Sequence, residues 1–167
     1  MKIILREWKK EDIQPLVVLA NNKKIADNMR DLFPSPYTMK DAKEWITLNL
    51  NRKPPTNLVI EVDGELAGGC GIRIKEDVYK YSGEIGYWIG EPYWGKGIAT
   101  IAISLLMDKI ISEFPFLIRI YAEIFENNKA SMRVLEKNSF YLESIRKNAV
   151  IKNNITLNDH VWVKLFR

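Results

Sequence analysis

Hydrophobic residues along the chain repeat at two spacings, every second residue or every third to fourth, and the spacing sorts the segments into strands and helices. Runs rich in β-branched and aromatic residues predict strands at 3–8, 58–62, 66–74, 79–89, 117–125, 140–150 and 155–166. Asp63-Gly64 and Asn153-Asn154 are tight hairpin turns between neighbouring runs. Helices are expected at 11–21, with Pro15 tolerated in the first turn, at 38–50, at 97–114 and at 128–138. Thr38 and Asp41 form a capping box, and Ala42, Trp45, Ile46 and Leu50 form the buried stripe behind it. The helix at 97–114 is apolar on nearly every side, which predicts burial. Polar residues 21–24 break the chain, Pro54-Pro55 closes the second helix, and 75–77 is a turn. Residues 29–37 hold two prolines and two aromatics and read as an ordered loop.

Size and composition narrow the class. A chain of 167 residues, 47% hydrophobic with 7 prolines and 9 glycines, is expected to be a single domain spanning 1–167 with a real core. The start Met-Lys-Ile-Ile-Leu-Arg-Glu-Trp is charged too soon for a secretory signal, and no uncharged apolar run approaches membrane length. A soluble, cytoplasmic protein is expected, with no membrane partner. A net charge of +4, spread along the chain, is too weak for a nucleic-acid binder and compatible with a small anionic ligand. Cys70 has no second cysteine to pair with and is expected to be buried in a strand. His160, the one histidine, reads as a packed strand residue. No metal-ligand spacing appears, so no metal is expected.

The chain is organised around Gly83-Glu-Ile-Gly-Tyr-Trp-Ile-Gly-Glu-Pro-Tyr-Trp-Gly-Lys-Gly-Ile-Ala-Thr100: an apolar strand, a turn with Gly95-x-Gly97, and a helix start. Such a junction binds anions, because the first helix amides have no intrahelical partner and glycines let the backbone approach a phosphate. A nucleoside-triphosphate loop requires Gly-x-x-x-x-Gly-Lys-Ser/Thr. Gly90 to Lys96 meets it until Gly97 stands where the hydroxyl is needed. A dinucleotide fingerprint misses its third small residue at Thr100. An ordinary tight turn feeding a helix remains open.

Trp94-Gly-Lys-Gly-Ile-Ala99 resembles the pyrophosphate loop of the GNAT N-acetyltransferases, Gln/Arg-x-x-Gly-x-Gly/Ala, with tryptophan in the first place. Asn128-Lys-Ala-Ser131, leading to Lys137-Asn-Ser-Phe140, is similar to the family's next signature. With Glu84-Ile-Gly-Tyr-Trp before the loop and Pro36-Tyr-Thr near the front, the resemblance spans most of the chain and is nearest the RimJ/RimL-like branch. It implies an α/β (α+β) fold: a mixed, centrally splayed sheet of about seven strands flanked by about four helices.

The resemblance also implies acetyl-CoA as cosubstrate. Its pyrophosphate would lie on Gly95, Lys96, Gly97, Ile98, Ala99 and Thr100 beside Trp94, and its pantetheine arm along the backbone of Trp88, Ile89 and Gly90. Lys129, Arg133 and Lys137 share a helix face, and Arg133 is a candidate for the 3′-phosphate, with a solvated face as the alternative. The acceptor implied is a small-molecule amine or a protein N-terminus, with Asp27, Asp31, Phe33 and Tyr37 as candidates to meet it and loop packing or solvated charge as the alternative.

A lysine-type amine is neutral in only about one molecule in 2,500 at pH 7, whereas an α-amine is neutral in more than roughly one in ten. Deprotonation therefore costs about 4.6 or about 1.1 kcal/mol. Glu84 matches the glutamate that some members use as base, directly or through water, with a salt-bridged Glu84 as the alternative. Many relatives protonate the departing thiolate with a tyrosine where Leu135 stands, and the branch carries a glutamate where Val150 stands. Ser131 takes the acid's role, with Asn128 orienting pantetheine or water; helix capping is the alternative for both. The expected function is acetyl transfer to a primary amine, and the rival is a non-catalytic acyl-CoA-binding module. Oligomeric state is not readable from the sequence, and a homodimer stays open.

Overall fold

The computed structural model describes residues 1–166. Among them are strands β1 (Ile3–Arg6), β2 (Asn57–Val62), β3 (Glu65–Ile74), β4 (Ser82–Ile89), β5 (Arg119–Phe125), β6 (Tyr141–Lys152) and β7 (Ile155–Leu165). The helices are α1 (Ile13–Ala20), α2 (Lys23–Ala26), α3 (Met39–Asn49), α4 (Ile98–Glu113) and α5 (Lys129–Lys137). Hydrogen-bonded neighbours run β1-β2-β3-β4-β5-β7-β6 in one seven-stranded sheet. The sheet is mixed. β4 and β5 are parallel, residues 82–84 facing 119–121, while β1/β2, β2/β3, β5/β7 and β6/β7 are antiparallel. This is the α/β fold the resemblance implied.

The described residues group into two compact units. The first joins Met1–Gly71 to Tyr87–Leu106. Its core gathers Trp8, Leu16, Ala20, Tyr37, Ala42, Ile46, Val59 and Leu66, with Trp45, Phe33 and Trp88 packed against it. Burial of that many large side chains is the main term holding the unit, at about 25 cal/mol per Å² of apolar surface. The Thr38 hydroxyl accepts from the Asp41 N–H at 3.3 Å while the Asp41 carboxylate accepts from the Thr38 N–H at 2.7 Å, so α3 begins on the expected box. Arg6 makes two bonds to the buried Asp12, at 2.7 and 2.8 Å, and a third to Glu61. Cys70 is buried, and loss of hydration pushes its thiol up to about 12.

The second unit joins Ile72–Gly86 to the described residues from Met107 onward. A Cβ at Gly83 would press on the end of the Ile72 side chain, 2.5 Å from its Cδ1. The β6–β7 hairpin turns at Asn153 and Asn154, whose φ values of 51° and 61° are those of the predicted tight turn. β6 is the outer strand, and its pairing shifts register twice, at Leu142/Ser144 and Arg146/Val150.

Three expectations change. β4 begins at Ser82, not at 79, because Asp77 at φ 54° starts a 3-10 turn that ends the extended run. The polar break at 21–24 holds α2, whose start is made by the Asn22 side chain accepting from the Lys24 N–H. α4 is not buried all round: Ile101, Ser104, Asp108 and Ile111, spaced by three and four, form an exposed face. No helix among the described residues is long and apolar enough to cross a membrane.

Candidate active site

In the first unit, β4 ends at Ile89 and the chain makes a 3-10 turn, Glu91–Tyr93, with Pro92 near its start. The Trp94 indole N–H then folds back onto the Ile89 carbonyl at 2.6 Å. Trp94 therefore straps the end of the strand, a task its position in the motif did not announce. Gly95 and Gly97 follow at φ 73° and 74°, where residues with a Cβ are strained. A Cβ built at either would meet nothing within 4 Å, so the space beside the turn is open. The Ile101 N–H closes on the Gly97 carbonyl at 3.3 Å, which places the amides of Ile98, Ala99 and Thr100 ahead of the helix ladder. Lys96 lies over the Tyr93 ring and donates to the Pro92 carbonyl at 2.9 Å.

One pairing expectation needs correction. The Gly90 N–H donates to the Ala67 carbonyl at 2.8 Å, so it is not available to a ligand strand. The Ile89 carbonyl already accepts from Trp94 and has one lone pair left.

The turn is also tied from outside. Glu91 accepts from the Asn22 carboxamide at 2.7 Å and pairs with Lys24, and these two partners, Lys24 first, hold its carboxyl below the usual carboxylate range. Asn21, next to Asn22, accepts from the Tyr37 N–H at 3.1 Å. Two adjacent asparagines thus fasten both the glycine turn and the loop at 29–37.

In that loop Asp31 is exposed and Phe33 half-buried, its ring 5.2 Å from Tyr37 and 6.0 Å from Trp88. Tyr37 is only 6% exposed, and burial, with a smaller contribution from Asp41, pushes its hydroxyl up to about 12. Tyr37 is thus a core residue that braces Phe33, where the sequence suggested an acceptor contact. Asp27 pairs with Lys23 at 2.6 Å.

In the second unit, Glu84 faces Tyr121 across the parallel pairing of β4 and β5. Its carboxylate is paired with Arg73 and with Lys75, the latter at 3.2 Å, and the Tyr121 hydroxyl stands 3.5 Å away. Lys75 lies 5.6 Å from the Tyr121 ring centre and Arg119 lies 5.7 Å from it. On the same face of β4 a Cβ at Gly86 would touch nothing within 4 Å. Glu84 is thus salt-bridged on two sides in this structure. Arg73, near the end of β3, Lys75, just beyond it, and Tyr121 escaped the sequence reading; the strand opposite them was the missing information.

Asn128 caps α5, its side chain accepting from the Ser131 N–H at 3.2 Å. Ser131 is half-buried, Leu135 fully buried, and Lys129, Arg133 and Lys137 are exposed. Val150 lies in β6, and His160 lies in β7 with its Nδ1 buried. No group of three His, Cys, Asp or Glu residues suited to a metal ion occurs among the described residues.

A profile of the acetyltransferase (GNAT) domain family matches residues 2–141. The probable N-acetyltransferase YjcK of Bacillus subtilis strain 168 is 44% identical over 77 residues, 46% of this chain and 41% of that protein, so the match spans less than half of that relative. The spermidine N(1)-acetyltransferase of Escherichia coli K12 is 27% identical over 140 residues, 83% of this chain and 73% of that one. Among solved structures, RimL, a ribosomal L7/L12 alpha-N-protein acetyltransferase in complex with coenzyme A, superposes with a TM-score of 0.86 at 21% identity, covering 99% of this chain and 95% of that chain.

Proposed function

The chain belongs to the GNAT acetyltransferase family, and on that premise we propose that it transfers the acetyl group of acetyl-CoA to a primary amine, which attacks the thioester directly. The observation that carries this reading is the Gly95-x-Gly97 turn, left-handed at both glycines, with open space beside it and the first amides of α4 behind it. The first amides of a helix and its dipole together attract a diphosphate. On this reading the backbone from Gly95 to Thr100 holds the pyrophosphate, and the backbone of Trp88 and Ile89 meets the pantetheine arm. Trp94 keeps the strand end in place, and exposed Arg133 is available to the 3′-phosphate.

The bound coenzyme supplies an activated acyl carbon and a thiolate leaving group. The chain's own work is proton handling and placement. Glu84 takes the proton of the amine, directly or through water, on a carboxylate whose orientation Arg73 and Lys75 fix. Ser131 relays a proton to the thiolate, taking one from solvent as it gives its own, and Asn128 fixes the helix start on which Ser131 lies. Asp31 and Phe33 meet the acceptor, with Tyr37 behind Phe33. The family relatives named for spermidine and for a ribosomal protein support an amine acceptor. Ser131 favours the RimJ/RimL-like branch, while Val150 departs from it. The protein works in the cytoplasm, with 1–167 as one catalytic domain.

The test is coenzyme binding and thiol release measured on the same samples. Wild type should bind acetyl-CoA and release thiol with at least one amine of a panel. Gly97→Trp should lose binding while keeping its circular dichroism. Unchanged affinity in that variant rejects the phosphate-loop assignment, and binding without turnover on any amine leaves a non-catalytic coenzyme-binding module.

A further inference from the structure

Glu84 is held by two cations at once. Arg73 and Lys75 both pair with this one carboxylate, so the triad carries two positive charges and one negative. Neighbouring charges in the same unit are accounted for differently. Arg119 makes a two-bond pair with Glu143 at 2.6 and 2.5 Å, and Arg146 is shared between Glu123 and Asp159. Arg146 with its two carboxylates carries one negative charge in turn, and Glu123 also acts on Arg73, so the wider cluster is neutral while the two cations that touch Glu84 are Arg73 and Lys75.

The triad is open to a ligand. The Arg73 side chain is 59% exposed although its Nη2 is on Glu84, which leaves further N–H groups of the guanidinium fork to an outside acceptor. Gly86, two residues along the same face as Glu84, leaves room beside it. A polyamine, all ammonium groups, gains nothing from two cations next to the candidate base. An amine that carries an oxyanion has a partner there, since the flat guanidinium fork matches a carboxylate with two parallel bonds.

Resting on the transfer reading above, we propose that the acceptor is an amine bearing a carboxylate, as amino acids do, and that Arg73, assisted by Lys75, is the residue that selects it. The carboxylate docks on Arg73 and turns the amine toward Glu84, while a polyamine offers the guanidinium no acceptor. Arg73 is a binding and specificity residue in this account and takes no part in proton transfer.

The experiment uses the full chain, acetyl-CoA, and a panel of α- and ω-amino acids, their carboxamides, and spermidine, with kcat/KM compared per neutral amine. At least one amino acid should exceed its carboxamide by roughly tenfold or more, the range of a charge-assisted hydrogen bond. Arg73→Ala should collapse that ratio toward one, Arg73→Lys should keep part of it, and Arg73→Glu should raise spermidine relative to the amino acids. Turnover of the panel without a carboxylate preference, or a preference that survives Arg73→Ala, overturns the inference and leaves acetyl transfer standing. Coenzyme binding with no turnover on any amine overturns both.

Discussion

The Asn22 carboxamide donates to the Glu91 carboxylate at 2.7 Å, joining the residue that caps α2 to the turn that leads into Gly95 and Gly97. Because Asn21 holds Tyr37 at the same point of the chain, the loop at 29–37 and the glycine turn share one anchor. The glycine turn is thus held by side chains some seventy residues earlier in sequence, and the separation of 69 positions between Asn22 and Glu91 explains why no local pattern revealed it.

That anchor titrates. Lys24 and Asn22 lower the Glu91 carboxyl, Thr38 lowers Asp41, and Arg119 lowers Glu143. A carboxyl lowered in the folded state contributes stability above its unfolded value of about 4 and loses it as pH falls through the lower folded value. Thermal midpoints should therefore be flat from neutrality to about pH 5 and fall below about pH 4. Glu91→Gln should shallow the acid limb of the curve; an identical acid limb would remove Glu91 from the account.

Gly68 and Gly97 predict opposite kinds of damage. A Cβ at Gly68 would come within 2.2 Å of the Trp88 carbonyl oxygen, so backbone must move against backbone. Gly68→Ala should lower the melting temperature on the order of 10 °C, from about 3 kcal/mol of overpacking. Gly97→Ala meets no neighbour and bears only the left-handed strain, about 1 kcal/mol or a few degrees. Differential scanning calorimetry of the pair decides, and equal shifts would refute the close approach at Gly68.

Glu84→Gln should lower kcat at pH 7 while coenzyme affinity stays within about threefold, as expected of a base and not of a coenzyme contact. Raising the pH supplies neutral amine from solvent, so the deficit should shrink up to about tenfold per unit until the amine's own pKa is reached. A deficit that is constant from pH 7 to 10 would mean that Glu84 acts through Arg73 and Lys75 and not on the proton.

The two residues at the start of α5 should separate by readout. Asn128→Ala removes the cap and should cost about 1 kcal/mol, a melting shift of roughly 2–4 °C. Ser131→Ala leaves the cap's backbone bond intact and should reduce kcat by roughly tenfold or more with the melting temperature within about 1 °C. Loss of stability without loss of turnover at Ser131 would confine it to packing.

Turn chemistry made much of this legible. Asp63-Gly64, Asn153-Asn154, the Thr38–Asp41 box and Gly95-x-Gly97 each demand a backbone conformation from the residues themselves, and each adopts it. Strand alternation alone puts Glu84 and Gly86 on one face of β4. Partners across strands were not legible. That Glu84 would lie opposite Tyr121 and between Arg73 and Lys75 depends on register, which hydrophobic alternation leaves undetermined between one strand and the next. Tyr37 shows the converse limit, since a tyrosine in a proline-rich loop reads as surface until the aromatic cluster around it is known.

Cys70 has a practical side. With its thiol pushed up to about 12 by burial, roughly one molecule in ten thousand would hold it as thiolate at pH 8, behind a wall of side chains. Maleimides and aromatic disulfide dyes should leave the native protein unmarked. Free coenzyme generated in a reaction can then be counted continuously against a dark background, and a cysteine engineered at any exposed position becomes the sole handle for a fluorophore.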